Sequence, residues 1–216
     1  MARKVGSAGK TLARRLGRIA LVLLGFGFAV WLLVQLFAPW MGALALPLAF
    51  LAVMRLLQDK EVEREVVAKA RGYLGEARVG RVLEALPSPW RVFHDVDLGG
   101  ENADHVVLGP AGVFNVEVKN YTGLIRATPQ GLWVRGERRD DLVRQAWRQA
   151  HKLRELLGVE VEPLLVFVGG RLEGRRVGRL PVLPPEEVGA YLRGLPARLS
   201  FTEAQRVSKL LEGRVR

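Results

Sequence analysis

The stretch "VFNVEVKNYTG", Val113 to Gly123, decides the fold. It alternates as a β-strand does, with Phe114, Val116 and Val118 on one side and Asn115, Glu117 and Lys119 on the other. "ADHVVLG", Ala103 to Gly109, precedes it and has the same strand character, and Gly109-Pro110-Ala111-Gly112 reads as a four-residue loop between them. That loop pairs Leu108 with Val113, Val106 with Asn115 and Asp104 with Glu117. Directly opposed residues share a face, with Cβ atoms about 4.5–5.5 Å apart. Asp104, Glu117 and Lys119 therefore gather on one face, while Val107 and His105 join the apolar one, where His105 is expected to be a satisfied core histidine. Adjacent carboxylates repel unless a positive charge lies between them. A hard cation such as Mg²⁺ fills that place with one or two protein carboxylates and keeps positions for water and phosphate. The set suits metal-assisted phosphodiester hydrolysis, with the lysine orienting or helping to deprotonate water, or neutralising the phosphate. A solvated ion network on an open sheet face uses the same residues, and spacing alone leaves both readings open.

Outward from this hairpin, the 216-residue chain carries a net charge of +11 and no cysteine. The missing thiols exclude a disulfide scaffold and a thiolate zinc site. Residues 1–18 hold six basic side chains and no acid, and residues 19–54 hold no charge, leaving +5 for residues 55–216. The apolar block is bounded by Arg18 and Arg55 and interrupted by Ala38-Pro39-Trp40. One spanning helix needs about 20 residues. The block therefore predicts two short transmembrane helices, near 19–37 and 41–57, joined by a tight turn at the proline. A hairpin returns the chain to its starting side, and the basic N-terminus places that side in the cytoplasm. A single kinked span is the alternative.

The expected organisation is a basic N-terminus over 1–18, the hairpin over 19–57 and an α/β domain over 58–216. A charged helix begins after Gln58, is interrupted near Gly72 or Gly75, and ends at "PSP" (87–89). "WRVFHDVDL" is a strand. Trp133 and Val134 lie in a short strand. "DDLVRQAWRQAHKLRELLG" is a helix with acids in its first turn, bases later and Gly158 as its stop. "EPLLVFVGG" is a buried strand, and Ser200 and Glu203 have the spacing of a capping box before the last helix.

"LGEARVGRVLEAL", "FHDVDL" and "ADHVVLGPAGVFNVEVKNYTG" together resemble the nuclease-related domain (NERD) of the PD-(D/E)xK nuclease superfamily. The resemblance is closest over Ala70 to Gly158. It implies a restriction-endonuclease-like core, a small mixed sheet flanked by helices. It implies an Asp on the second strand and Glu-x-Lys on the third, which here are Asp104, Glu117 and Lys119. A helix Glu and a later helix Gln match Glu76 and Gln145. The family's frequent Asn-Pro before the Gln segment is replaced by Asp141-Leu142.

The resulting expectation is a bacterial inner-membrane protein whose cytoplasmic domain hydrolyses DNA with Mg²⁺ or Mn²⁺ bound by Asp104, Glu117 and Glu76. Lys119 assists and Gln145 positions the site. Lipid bilayer and DNA are the expected partners. A non-catalytic membrane-tethered module that binds nucleic acid or recruits a protein is the alternative. "GGRLEGRRVGRL" offers Arg171, Arg175, Arg176 and Arg179 either as phosphate contacts or as a solvated loop. Trp133 and Trp147 are read as core tryptophans rather than base-stacking platforms. Gln149 and Lys152 share a helix face with Gln145 at four- and seven-residue spacing.

Overall fold

The computed structural model describes residues 3–5, 21–32, 36, 48–52, 55 and 60–215, with side chains left undescribed at 3–5 and 60–68. Most of the expected hairpin lies outside the described residues. Residues 21–32 and 48–52 are helical and exposed, and among the described residues no helix is long and apolar enough to cross a membrane. The chain divides into two compact units, residues 10–71 and residues 1–9 with 72–216. The second contains the β-hairpin that carries Asp104, Glu117 and Lys119.

Eleven strands and four long helices are described from residue 3 onward, apart from the short helical stretches just named. They are β1 (Arg3–Val5), α1 (Lys60–Glu84), β2 (Arg91–Asp97), β3 (Asn102–Gly109), β4 (Gly112–Asn120), β5 (Leu124–Thr128), β6 (Gly131–Val134), β7 (Glu137–Arg138), α2 (Asp140–Leu157), β8 (Val161–Val168), β9 (Arg171–Glu173), β10 (Arg176–Val177), β11 (Leu180–Leu183), α3 (Pro185–Gly194) and α4 (Phe201–Glu212). A seven-stranded mixed sheet has the order β1-β2-β3-β4-β8-β11-β10, and a four-stranded sheet has the order β7-β6-β5-β9. The α/β expectation stands. Two features go beyond it: the edge strand β1, drawn from the basic N-terminus and parallel to β2, and the second sheet.

The β3–β4 register is the one read from the sequence, with Leu108 opposite Val113 and Val106 opposite Asn115. The connection is tighter than expected. Gly109 pairs with Gly112, so only Pro110 and Ala111 form the turn. Gly109 is obligatory for a packing reason, since a Cβ there would lie 2.0 Å from the Trp90 ring. Helix α1 runs unbroken through Gly72 and Gly75, correcting the expected interruption. Helix α2 ends as read, with Gly158 in the left-handed conformation, and Ser200 and Glu203 form the capping box of α4.

The expected division of the large sheet into one apolar and one polar face is also corrected. Both faces are buried. Val107, Phe114, Val116 and Val118 pack with α1 and α3 through Val79, Leu83, Val188 and Leu192. On the other side, Val106, Leu108 and Val113 pack against Ala150, Leu153 and Leu157 of α2 and Val207 and Leu211 of α4. The parallel β4–β8 pair explains this, because a parallel strand connection places a crossover helix over the sheet. Glu117 and Lys119 therefore occupy a polar pocket at the carboxyl end of β4, beneath α2, rather than an open surface.

Candidate functional site

Helix α2 delivers its polar residues in step with β4. Four residues of helix advance about 6 Å, and two residues of strand about 6.6 Å. Gln145 and Gln149 thus match Glu117 and Asn115. The Gln145 amide donates to Glu117 Oε1 at 2.6 Å, and Asn115 donates to Gln149 Oε1 at 3.0 Å. The third residue of the expected helix face, Lys152, goes elsewhere. It binds Glu101 at 2.8 Å together with Arg148. The hydrogen bond from Arg148, with that from Lys152, holds the Glu101 carboxyl down at about 2.

Lys119 Nζ donates to Glu117 Oε1 at 2.6 Å. Glu117 itself is 2% exposed. The paired register of the hairpin ends at His105–Val116, and just beyond it Asp104 Oδ2 accepts from the Val118 backbone N–H at 2.7 Å. Burial, then the charges of Glu117 and Glu76, push the Asp104 carboxyl well above the usual range. Glu76, on α1, is raised to about 7 by burial and by the charges of Asp95 and Glu117. Burial alone would depress the Lys119 ammonium, but the Glu117 carboxylate outweighs it and the net direction is up. The structure therefore brings Glu76, Asp104, Glu117, Lys119 and Gln145 into mutual influence.

Asp95 is an addition that sequence reading missed. It lies between the pairs His94–His105 and Val96–Ala103, in the row that contains Asp104. Its backbone has φ +55°, uncommon for a non-glycine residue, and Asn102 donates to its Oδ1 at 2.6 Å. Its signal was the Asp in "FHDVDL", with no spacing rule to single it out.

The donor set fits a hard divalent cation. It consists of carboxylate oxygens, and Glu117 Oε2 is buried with no hydrogen-bond partner, an arrangement that is costly unless something positive is supplied. Among the described residues, no three His, Cys, Asp or Glu side chains are drawn together into a metal cage. Mg²⁺ does not require one, since it commonly takes one or two carboxylates and retains water.

The crowding of acids has a consequence for stability. The folded chain holds the Glu76 proton more tightly than a free glutamate does, so this stabilisation is complete below about pH 4.5 and is lost as pH rises through about 7. In EDTA, the melting temperature is expected to fall between pH 5 and pH 8, and Glu76→Gln is expected to flatten that slope. A circular-dichroism melt at the two pH values measures it.

The arginine-rich loop does not converge on this pocket. Arg175 is held by Glu187 in two 2.7 Å contacts. Arg171 lies 3.2 Å from Glu173. Arg176 and Arg179 line a groove with Val113, Phe114 and Val161, at the opposite end of β4 from Lys119. Trp147 lines the same groove and is 43% exposed, so it is not core. Trp133 is half-buried beneath the Arg138 guanidinium. His105, by contrast, is fully buried and satisfied, as expected.

Residues 71–168 match the family model of the nuclease-related domain, a span that includes Glu76, Asp104, Glu117, Lys119 and Gln145 and stops before Arg171. An uncharacterized protein of Bacillus anthracis is 35% identical over 103 residues, 44% of this chain and 48% of that protein. The chain thus spans about half the length of the curated relative it matches. A solved structure, that of Pyrococcus furiosus SfsA in complex with Ca²⁺, aligns over 66% of this chain and 54% of that chain, at 13% identity and a TM-score of 0.25. That likeness is too slight to carry an argument.

Proposed function

We propose that this chain is a divalent-metal-dependent nuclease that hydrolyses DNA phosphodiester bonds, with the pocket around Glu117 as its active site. The observation that carries this reading is the buried Glu117 carboxylate, with one oxygen bound by Lys119 and Gln145 and the other without a hydrogen-bond partner. Asp104 and Glu117, supported by Glu76, are the residues to hold Mg²⁺ or Mn²⁺. A divalent ion held there supplies neutralising charge to a phosphate and acidifies a bound water.

The chain's own residues divide the remaining work. The raised Lys119 pKa keeps its amine protonated, so it serves as a hydrogen-bond donor to the attacking water or to a phosphate oxygen rather than as a base. Gln145 fixes the Glu117 carboxylate and prevents rotation toward solvent. Glu76, titrating near neutrality, is suited to accept a proton from water. Its burial keeps that carboxyl responsive to the charge around it.

The uncharged block over residues 19–54 and the basic residues before it support a further part of the reading, a two-helix membrane anchor with the nuclease domain in the cytoplasm. Fractionation of cells into membrane and soluble material, with carbonate washing, tests the anchor separately.

The nuclease reading is tested with the full chain on labelled single- and double-stranded DNA. Cleavage is expected with Mg²⁺ or Mn²⁺ and none with EDTA. Metal-independent, salt-sensitive DNA binding without cleavage would replace the enzyme with a binding module.

A further inference from the structure

Two histidines are buried between the sheet and α1, and a hydrogen bond to a main-chain carbonyl fixes where one of them carries its proton. His94 on β2 and His105 on β3 are opposite each other in register and are both fully buried. Their Nδ1 atoms are 2.8 Å apart. His105 Nε2 is 3.1 Å from the Glu76 backbone carbonyl. A carbonyl only accepts, so His105 carries its proton on Nε2. A neutral imidazole carries a single ring proton, and that of His105 is committed to the carbonyl. Its Nδ1 is therefore the acceptor, and His94 Nδ1–H is the donor. On the far side, His94 Nε2 lies 3.0 Å from Glu84 Oε1, although the contact is not aligned as a hydrogen bond. The pair thus runs from Glu84 near the end of α1, through two imidazoles, back to α1 at Glu76.

The helix is shaped to receive them. A Cβ at Gly80 would lie 3.3 Å from His94 Cε1 and 3.5 Å from His105 Cε1, and one at Gly75 would lie 3.2 Å from Asn120 Cβ. Close approaches of α1 to the sheet therefore flank Glu76 on either side. The carbonyl that His105 binds belongs to the residue whose side chain enters the carboxylate pocket.

We infer that His94 and His105 form a positioning unit that holds the Glu76 segment of α1 at a fixed height above the sheet and so sets the Glu76 carboxyl in the active site. This rests on the nuclease reading for its catalytic consequence but not for its effect on cation binding. His105 touches neither substrate nor metal in this role. It acts on the main chain of a residue that does, as outer-shell partners orient ligands elsewhere.

The test is a double-mutant cycle in the full-length chain. His105→Leu removes the Nε2–H donor, whereas the Gln amide nitrogen of His105→Gln can take its place. His105→Leu is expected to weaken Mn²⁺ binding, followed by isothermal titration calorimetry, and to lower kcat, each by about tenfold, with KM for DNA unchanged. His105→Gln is expected to restore most of both. In a Glu76→Gln background, His105→Leu is expected to add less than about twofold, because the residue it positions no longer has its charge. An equal loss from His105→Leu in both backgrounds would overturn the inference and reduce the pair to core packing. Failure of His105→Gln to restore binding, while melting like the wild type, would overturn it as well. Should the wild-type chain bind Mn²⁺ without cutting DNA, the nuclease reading fails and the Mn²⁺ cycle alone decides the positioning role. Absence of Mn²⁺ binding by the wild type overturns both.

Discussion

Lys119→Ala is expected to lower DNA cleavage by about 10²–10³-fold, the range over which one positioned electrostatic donor contributes. The ammonium lies 2.6 Å from Glu117 Oε1 in a pocket that leaves Glu117 2% exposed. Removing it withdraws the donor aimed at the reacting centre. It also leaves a buried carboxylate supported by Gln145 alone. In EDTA the variant is expected to be destabilised by about 1–3 kcal/mol, the cost of leaving a buried charged group poorly partnered. Saturating Mn²⁺ is expected to recover much of that stability and none of the activity. Lys119→Arg is not expected to rescue, because a planar guanidinium presents its donors in a different geometry from a compact ammonium. A gel assay with thermal melts in EDTA and in Mn²⁺ measures all three. Normal cleavage by Lys119→Ala would remove this pocket from catalysis.

Asp104→Asn is expected to separate activity from stability in the opposite sense. Asparagine retains the oxygen that accepts from the Val118 N–H and removes the charge that burial, Glu117 and Glu76 oppose. A carboxyl with a raised folded-state pKa contributes its stabilisation at low pH and loses it as pH rises, so the charge is a burden at neutral pH. The variant is expected to melt about 3 °C higher than the wild type in EDTA at pH 8. The gain should shrink toward pH 5. Cleavage should drop by about 10²-fold or more, the scale seen when one electrostatic element of a site is removed. A variant that is inactive and less stable at pH 8 would mean that Asp104 serves the fold instead.

These two effects come from one arrangement. The pocket concentrates acids where the core excludes water, offsets them in part with Lys119 and Gln145, and leaves one Glu117 oxygen without a partner. Such a site is poorly balanced without a cation, which is why Lys119→Ala is expected to lower both stability and activity, whereas Asp104→Asn is expected to raise the first and lower the second.

Much of this was legible along the chain. Strand alternation and the short Gly109–Gly112 connection specified the β3–β4 register, because a one-residue slip would have sent every side chain to the other face. That register alone placed Asp104 beside Glu117 and Lys119. The Gly158 stop, the Ser200 capping box and the amphipathic α2 are local events in which a residue and its near neighbours satisfy one another. Gln145 and Glu76 came from resemblance rather than spacing, since helix and strand contributions to a site have no fixed separation in sequence.

Tertiary structure decided what alternation could not. A period of two tells which residues share a face but not what covers it, and here α2 covers the face that carries Glu117, so the cluster that spacing left open to two readings is buried. It also set the fate of the arginines, since Arg175 is claimed by Glu187 and Arg176 and Arg179 lie at the far end of β4. The His94–His105 pair belongs to this second class. His105 alone reads as a core residue, and His94 gives no pattern. Only the crossing of α1 over β2 and β3 brings His105 to the Glu76 carbonyl with His94 against its other ring nitrogen, because hydrogen-bond direction depends on where a third element lands.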